Sequence, residues 1–270
     1  PAPPSALRSL LGDASDGFFA TTFERHATAS DADIPLLPSW DTLLATLHDC
    51  SAAAGCSVLV LKDQHPTAPG ESACLASAYL DGCSIIVNHA EAGCAPLAAL
   101  CEALRADLPH AYCQLYLTPP DARAVDAHAD DRDVFVVQLG GAKRWSVCDA
   151  PPIVRPGRDE QVGKGELPVP EELLAASAEN LAHDDGLLRE GTARYIPRGF
   201  VHEAAAPART GSLHATIALA TADWSWASLV EAAGAAAGWG AAAASAKRRE
   251  LEALPTTLDQ QRCWRRCAPP

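Results

Sequence analysis

The sequence predicts a mainly β fold, an antiparallel barrel or sandwich with flanking helices. Two observations carry that prediction. From Ala111 onward, short apolar runs alternate with turn signals at close intervals, the pattern of strands that fold back on one another. On either side of that region the apolar residues shift to the three- and four-residue spacing of helices packed on one face. A chain of 270 residues, 48% hydrophobic and 20% charged, can bury the core such a fold needs, which excludes global disorder and simple repeats.

Taken in order, the first hundred residues mix helix and strand. Ser39 is placed to cap a helix carrying Leu43, Leu44 and Leu47, and the stretch 95–108 puts Leu97, Leu100, Cys101 and Leu104 on one helical face. Two β-rich runs lie between them, SVLVL from Ser57 and SIIV from Ser84. Then come CQLYLT, the turn Pro119-Pro120-Asp121, DVFVVQL, Gly140-Gly141 and KRWSV. The last three together read as a β-hairpin. A polar stretch at 155–185, with a helix expected over 171–181, interrupts the strands, which resume with GLLRE, ARYIP and SLHATIALA. After Asp223 the chain turns helical and Ala-rich. The expected division is 1–110, a mixed helix and strand part; 111–222, the β core; and 223–270, the start of a helical region.

Charge and cysteine usage limit the function classes. Twenty-one Lys and Arg against 34 Asp and Glu give a net charge of −13, which repels a phosphate backbone and suits a cationic partner or small substrates. Direct nucleic-acid binding is therefore not expected. The one basic cluster (Lys247, Arg248, Arg249, Arg262, Arg265, Arg266) reads as a solvated helix face. No stretch has the roughly 20 apolar residues of a membrane span, so no membrane association is expected. The ten cysteines are scattered through apolar segments with no CxxC and no secretory segment before them, which fits reduced, buried thiols in an intracellular protein. With no Met even at position 1, the chain is expected to be a fragment or a processed form.

Chemistry concentrates in three residues, His128 and Asp130 before DVFVVQL and His202 after the turn Pro197-Arg198-Gly199. Two imidazoles and a carboxylate on one face make the set that holds Fe(II) and leaves positions open. His-x-Asp suits this because side chains at i and i+2 of extended backbone point the same way. Spacing alone does not decide, since chance supplies on the order of one His-x-Asp in a chain of this composition. His183 and Asp185 form such a decoy in the polar stretch, and on spacing alone the three residues read sooner as surface or hydrogen-bonded polar groups than as a metal site.

Residues 116–145 (YLTPPDARAVDAHADDRDVFVVQLGGAKRW), 187–204 (LLREGTARYIPRGFVHEA) and 212–220 (SLHATIALA) resemble the JmjC ribosomal oxygenases, and a weaker likeness extends upstream to about residue 16. The resemblance implies a double-stranded β-helix (jelly-roll) of the cupin type. It implies iron ligands at His128, Asp130 and His202, with 2-oxoglutarate and O2 as cosubstrates. It also implies Lys143 as the basic anchor of the 2-oxoglutarate distal carboxylate, with Tyr116 and Ser212 as further pocket residues, whereas a half-buried strand tyrosine is the plain alternative for Tyr116. His214 is expected to be a satisfied core histidine. The chain departs from relatives at Ala129, where they carry Tyr, at Gln114, where they carry Asn, and in GTARY before the distal histidine. The first two bear on the substrate pocket more than on the metal, and GTARY reads as a turn variation.

The activity implied is hydroxylation of a protein side chain, either histidyl hydroxylation of a ribosomal protein or demethylation of histone N-methyl-lysine. The partner would be a basic protein, and the chain beyond 223 would open a dimerisation region, giving a homodimer. The nucleus or nucleolus, with a role in chromatin and transcription regulation, would be the setting in a eukaryote, and the cytoplasm otherwise. Two other readings stay open: a non-catalytic cupin scaffold, and a cupin using another metal on a small molecule.

Overall fold

Strands buried on both faces organise the molecule. A computed structural model describes residues 5–33, 54–67, 74–108, 110–183, 186–221 and 225–252. The helix expected from Ser39 lies outside them, as do Asp185, Trp224 and the arginines beyond 252. Among the described residues the strands are β1 (Thr28–Asp31), β2 (Ser57–Lys62), β3 (His65–Pro66), β4 (Ser84–Asn88), β5 (Ala111–Thr118), β6 (Asp133–Val147), β7 (Leu187–Arg189), β8 (Thr192–Ile196), β9 (His202–Ala205) and β10 (Ser212–Leu219). Every pairing is antiparallel, in the order β1-β8-β6-β10-β5-β4-β2-β3. The short strands β7 and β9 pair with the far half of β6, so two sheets share one strand. This is the double-stranded β-helix.

The hairpin expected at Gly140-Gly141 does not form; β6 runs as one strand of 15 residues through both glycines. Gly141 has φ +66, and a Cβ there would lie 2.0 Å from the carbonyl oxygen of Gly211 on the neighbouring chain segment. The register with β10 shifts at the same place, between Leu213 and His214. The glycine pair makes a bulge that carries the strand from one sheet into the other, which a sequence signal for a turn does not separate from a hairpin.

Alternation along the strands then sorts side chains onto two faces. Phe135 and Val137 of β6, Leu115 and Leu117 of β5 and Ile217 of β10 pack with Leu97, Leu100 and Leu104 of the helix Ala95–Leu104 and with Phe18. That helix ends at Leu104, short of the expected 108, and the backbone turns toward β5 ahead of Pro109, which disfavours helix in the residue before it. Tyr112, Gln114 and Tyr116 of β5, Val134 and Val136 of β6, and His214, Thr216 and Ala218 of β10 take the other face and line a cavity between the sheets. The helix expected in the polar stretch is present at Glu171–Ala182.

Two helices, Trp226–Ala236 and Ala241–Glu252, close the described chain. The expected solvated basic face is corrected at Arg248, which is 5% exposed and bonds to Glu160 and Glu231. The spacing of small residues around it hides no charge pattern that would have revealed those acids, which come from other elements. No disulfide joins the cysteines among the described residues, and Cys83, Cys94, Cys101 and Cys113 are buried. Among the described residues no helix is long and apolar enough to cross a membrane.

Candidate metal centre

At one mouth of the cavity, the loop before β6 meets the start of β9. His128 and His202 form an antiparallel bridge, the N–H of His128 donating to His202 O at 3.1 Å and that of His202 to His128 O at 2.8 Å. Their rings are 4.5 Å apart, centre to centre. Asp130 follows in extended loop rather than in a regular strand, and its carboxylate lies 3.9 Å from His128 Nε2 and 3.7 Å from His202 Nε2. The structure thus brings together the three residues singled out from the sequence. Among the described residues they are the one group of His, Cys, Asp and Glu side chains whose ligand atoms all lie within 4.8 Å of one another.

Backbone carbonyls fix the orientation of both imidazoles. His128 Nδ1 bonds to Asp126 O at 2.7 Å and His202 Nδ1 to Phe200 O at 2.9 Å. A carbonyl can only accept, so each Nδ1 carries the proton and each Nε2 turns its lone pair inward. Burial, helped by the neighbouring His202, pushes His128 down to about 3, and burial likewise lowers His202. Burial works to raise the Asp130 carboxyl, but Lys164 and the two imidazoles outweigh it and hold it below the usual carboxylate range. Two neutral imidazoles and a carboxylate with inward lone pairs are the donors a divalent transition metal takes.

Lys164 itself, ion-paired with Asp130, is a residue the sequence reading missed. A signal for it exists in the flanking Gly163 and Gly165. Gly163 has φ +77, and a Cβ there would lie 2.4 Å from Ala127 O, so only glycine lets this segment approach the His128 loop. The same segment explains Ala129, which is 1% exposed, donates its N–H to Val162 O at 2.7 Å and packs against Val162 and Val201. Glu203, also missed, is buried beside His202, paired with Arg123 and accepting from Ser177 Oγ at 2.8 Å.

Deeper in the cavity, of about 200 Å3, stands Lys143 on the second half of β6. It is 2% exposed, so it is no surface lysine. Its Nζ donates to Thr118 Oγ1 at 3.0 Å and lies 6.0 Å from the centre of the Tyr116 ring. Burial alone pushes it down to about 7; no carboxylate among the described residues pairs with it. Tyr116 stacks on His214 at 4.7 Å and donates its hydroxyl to Gln114 Oε1 at 3.2 Å, while Gln114 Nε2 donates to Asn88 Oδ1 at 2.9 Å.

His214 is buried as expected but not satisfied: its Nδ1 has no hydrogen-bond partner, and neither has Nε1 of Trp145, whose ring lies 5.4 Å away. Polar atoms orphaned inside a protein are costly, so a buried ammonium beside two of them fits a pocket shaped for an acceptor-rich anion. Ser212 is placed elsewhere. It is buried one step further along β10, its hydroxyl accepting from Gln138 Nε2 at 3.0 Å, and it does not line the cavity. The buried amide on β6 that engages it left no mark in the pattern of the sequence. His183 is exposed at the end of its helix, outside the cluster.

Fold and site together define a jelly-roll with a candidate metal centre at one mouth and a buried cation inside. The model of the JmjC domain family matches residues 89–227, just over half of the chain, and the chain belongs to that family. Among curated proteins it is similar to the bifunctional lysine-specific demethylase and histidyl-hydroxylase NO66 of Drosophila grimshawi, 32% identical over 166 residues, covering 57% of this chain and 20% of that protein. The NO66 protein of Dictyostelium discoideum is 30% identical over 146 residues, covering 52% and 26%. The chain thus spans about a fifth to a quarter of the length of these relatives. Among solved structures it is similar to the ribosomal oxygenase YcfD of Escherichia coli in complex with cobalt and 2-oxoglutarate, at a TM-score of 0.49 and 18% identity, covering 78% of this chain and 52% of that one.

Proposed function

We propose that this chain is the catalytic part of an Fe(II)- and 2-oxoglutarate-dependent protein hydroxylase. The observation that carries the proposal is the presence in one cavity of the inward-facing His128, Asp130 and His202 donors and of Lys143, a buried ammonium with no acid to pair with among the described residues. In this reading His128, Asp130 and His202 hold the iron. Lys143, with Thr118 and Tyr116 beside it, takes the distal carboxylate of 2-oxoglutarate through a charge-assisted bond. When bound, iron with 2-oxoglutarate and O2 supplies oxidation of a C–H bond coupled to decarboxylation of 2-oxoglutarate to succinate.

The residues of the chain do the rest. The carbonyls of Asp126 and Phe200 keep the imidazoles turned toward the metal, and the apolar flanks of β6 and β10 keep water away from the reacting groups. The substrate is a basic protein, a ribosomal protein or a histone tail, drawn by a net charge of −13. Histidyl hydroxylation and N-methyl-lysine demethylation both start with the same C–H oxidation. The names of the NO66 relatives support either. A nuclear or nucleolar setting, with a part in chromatin and transcription regulation, belongs to the same proposal for a eukaryote. A homodimer through the C-terminal helices belongs to the same proposal, supported by Trp226, Leu229 and Trp239, each more than 40% exposed. Incubation with ribosomal proteins and histone peptides tests the activity: iron-dependent succinate release with one oxygen atom added to a peptide, or one methyl lost, is the expected result. Absence of both with either class would refute it.

A further inference from the structure

The turn that delivers His202 is held from outside by charges that the proposed chemistry does not use. Arg198, 3% exposed, donates through Nε to Glu24 Oε1 at 2.7 Å and through Nη2 to Glu252 Oε2 at 3.1 Å. Arg155 reaches the same two residues, with Nε 3.3 Å from Glu24 Oε2 and Nη1 donating to the backbone carbonyl of Glu252 at 3.2 Å. The next residue, Gly199, donates its N–H to Asp130 O at 2.9 Å, and a Cβ on it would lie 2.4 Å from Ile153 O. Glu252 is therefore one side chain and one peptide group away from Asp130.

A second arm leaves the same helix. Arg248 bonds to Glu160, whose Oε2 also accepts the N–H of Gly157 at 3.0 Å, and a Cβ at Gly157 would lie 2.8 Å from the guanidinium carbon. Two residues beyond Glu160, the carbonyl of Val162 accepts the N–H of Ala129, between His128 and Asp130. Glu252 and Arg248 thus reach the two sides of the cluster separately.

The buried face of the helix Ala241–Glu252 consists of Ala244, Arg248 and Glu252, spaced four apart. A helix normally docks through apolar side chains at that spacing. This one docks through a methyl group and two charges. Buried ion pairs add little to stability over apolar packing, but losing one partner is costly because it leaves the other charge buried and unpaired.

We propose that the helix Ala241–Glu252 is a positioning element for the metal centre, its docking through Glu252–Arg198 and Arg248–Glu160 setting the loop of His128 and Asp130 against the turn of His202. The proposal rests on the metal reading of that cluster. Coupling between two sites is reciprocal. Loosening the helix must weaken the metal, and binding the metal must tighten the helix.

Anaerobic titration with Co(II), followed by its visible absorption, reads the first effect without turnover. Glu252→Gln keeps the shape and removes the charge, and should raise the Co(II) Kd about tenfold, the low end of what outer partners of metal ligands cost. Glu250→Gln, on the exposed side of the helix and paired with Lys247, should leave it unchanged. Hydrogen exchange on the unaltered protein reads the second effect and needs no variant: Co(II) should slow exchange within 241–252. Equal Kd values for Glu252→Gln and the parent, or exchange in the helix indifferent to Co(II), would overturn the coupling while leaving the metal reading intact. A parent that binds no Co(II) would overturn both.

Discussion

Replacing Lys143 by Met should stabilise the unliganded protein and weaken 2-oxoglutarate, two effects of opposite sign from one buried ammonium. Burial brings Lys143 from 10.5 to about 7. At about 1.4 kcal/mol per unit, keeping the charge inside costs the folded state on the order of several kcal/mol, with local water and relaxation reducing the figure. The sign follows from proton counts. Between pH 7 and 10.5 the unfolded chain holds a proton here that the folded chain has lost, so stability rises with pH across that window. The penalty is full below about pH 7 and gone above 10.5, and Lys143→Met should raise Tm most at about pH 6 and hardly at all near pH 10. Against 2-oxoglutarate the same variant loses a charge-assisted bond of about 1.5–3 kcal/mol, roughly a ten- to hundredfold rise in Kd. In the parent, only the ammonium form pairs with the carboxylate, so affinity should fall above pH 7 and binding should take up a proton; in Lys143→Met both dependences should vanish. Thermal melts across pH, and calorimetric titration of 2-oxoglutarate with Co(II) in place of iron, measure all of this. A variant that melts earlier at pH 6, or binds 2-oxoglutarate as the parent does, would refute the assignment of Lys143.

Asp130→Ala should abolish Co(II) binding and leave the circular dichroism spectrum unchanged, because the residue sits in a loop at the cavity mouth; retained binding would remove the cluster as the metal centre. His183→Ala should change neither, which the same titration checks. Gly141→Ala should cost more than about 2 kcal/mol in chemical denaturation, since it adds a Cβ at positive φ against the Gly211 carbonyl; a cost of a few tenths would mean the bulge is not required. Light scattering should give twice 28.2 kDa for the chain and a return toward the monomer mass in a Trp226→Ser, Leu229→Ser double variant; a concentration-independent 28.2 kDa for the parent would refute dimerisation.

The metal cluster was legible because its donors lie in chain order beside strands whose pattern is strong, and because the resemblance supplied what spacing alone could not. The strands themselves were legible for a different reason. The run DVFVVQL is apolar on both faces, and both faces prove to be buried, one against helices and one against the cavity. What failed were three features set by contacts distant in sequence. Gly140-Gly141 reads alike as turn or bulge until β9 and β10 are seen to supply the pairing partners. Arg248 reads as solvated until Glu160 and Glu231 arrive from other elements. Ser212 reads as a pocket residue until Gln138, on the same face of the next strand, engages it.

Net charge and cavity charge point in opposite directions, and the proposed chemistry requires that they do. A surface carrying −13 attracts a basic polypeptide but repels a dianionic cosubstrate. Beyond a Debye length of about 8 Å that repulsion is screened, so entry of the dianion is decided by the charges that line the cavity. There Arg132 is matched by Asp131, Lys164 by Asp130 and Glu203 by Arg123, and Lys143 is left over. The lining is therefore cationic by Lys143, which has no acid beside it among the described residues. A metal bound to Asp130, His128 and His202 would add positive charge at the opposite end of the same space. The cavity can therefore hold a ligand with a carboxylate at each end inside a protein whose net charge favours a basic polypeptide, because at that range the groups lining the cavity outweigh the screened charge of the surface.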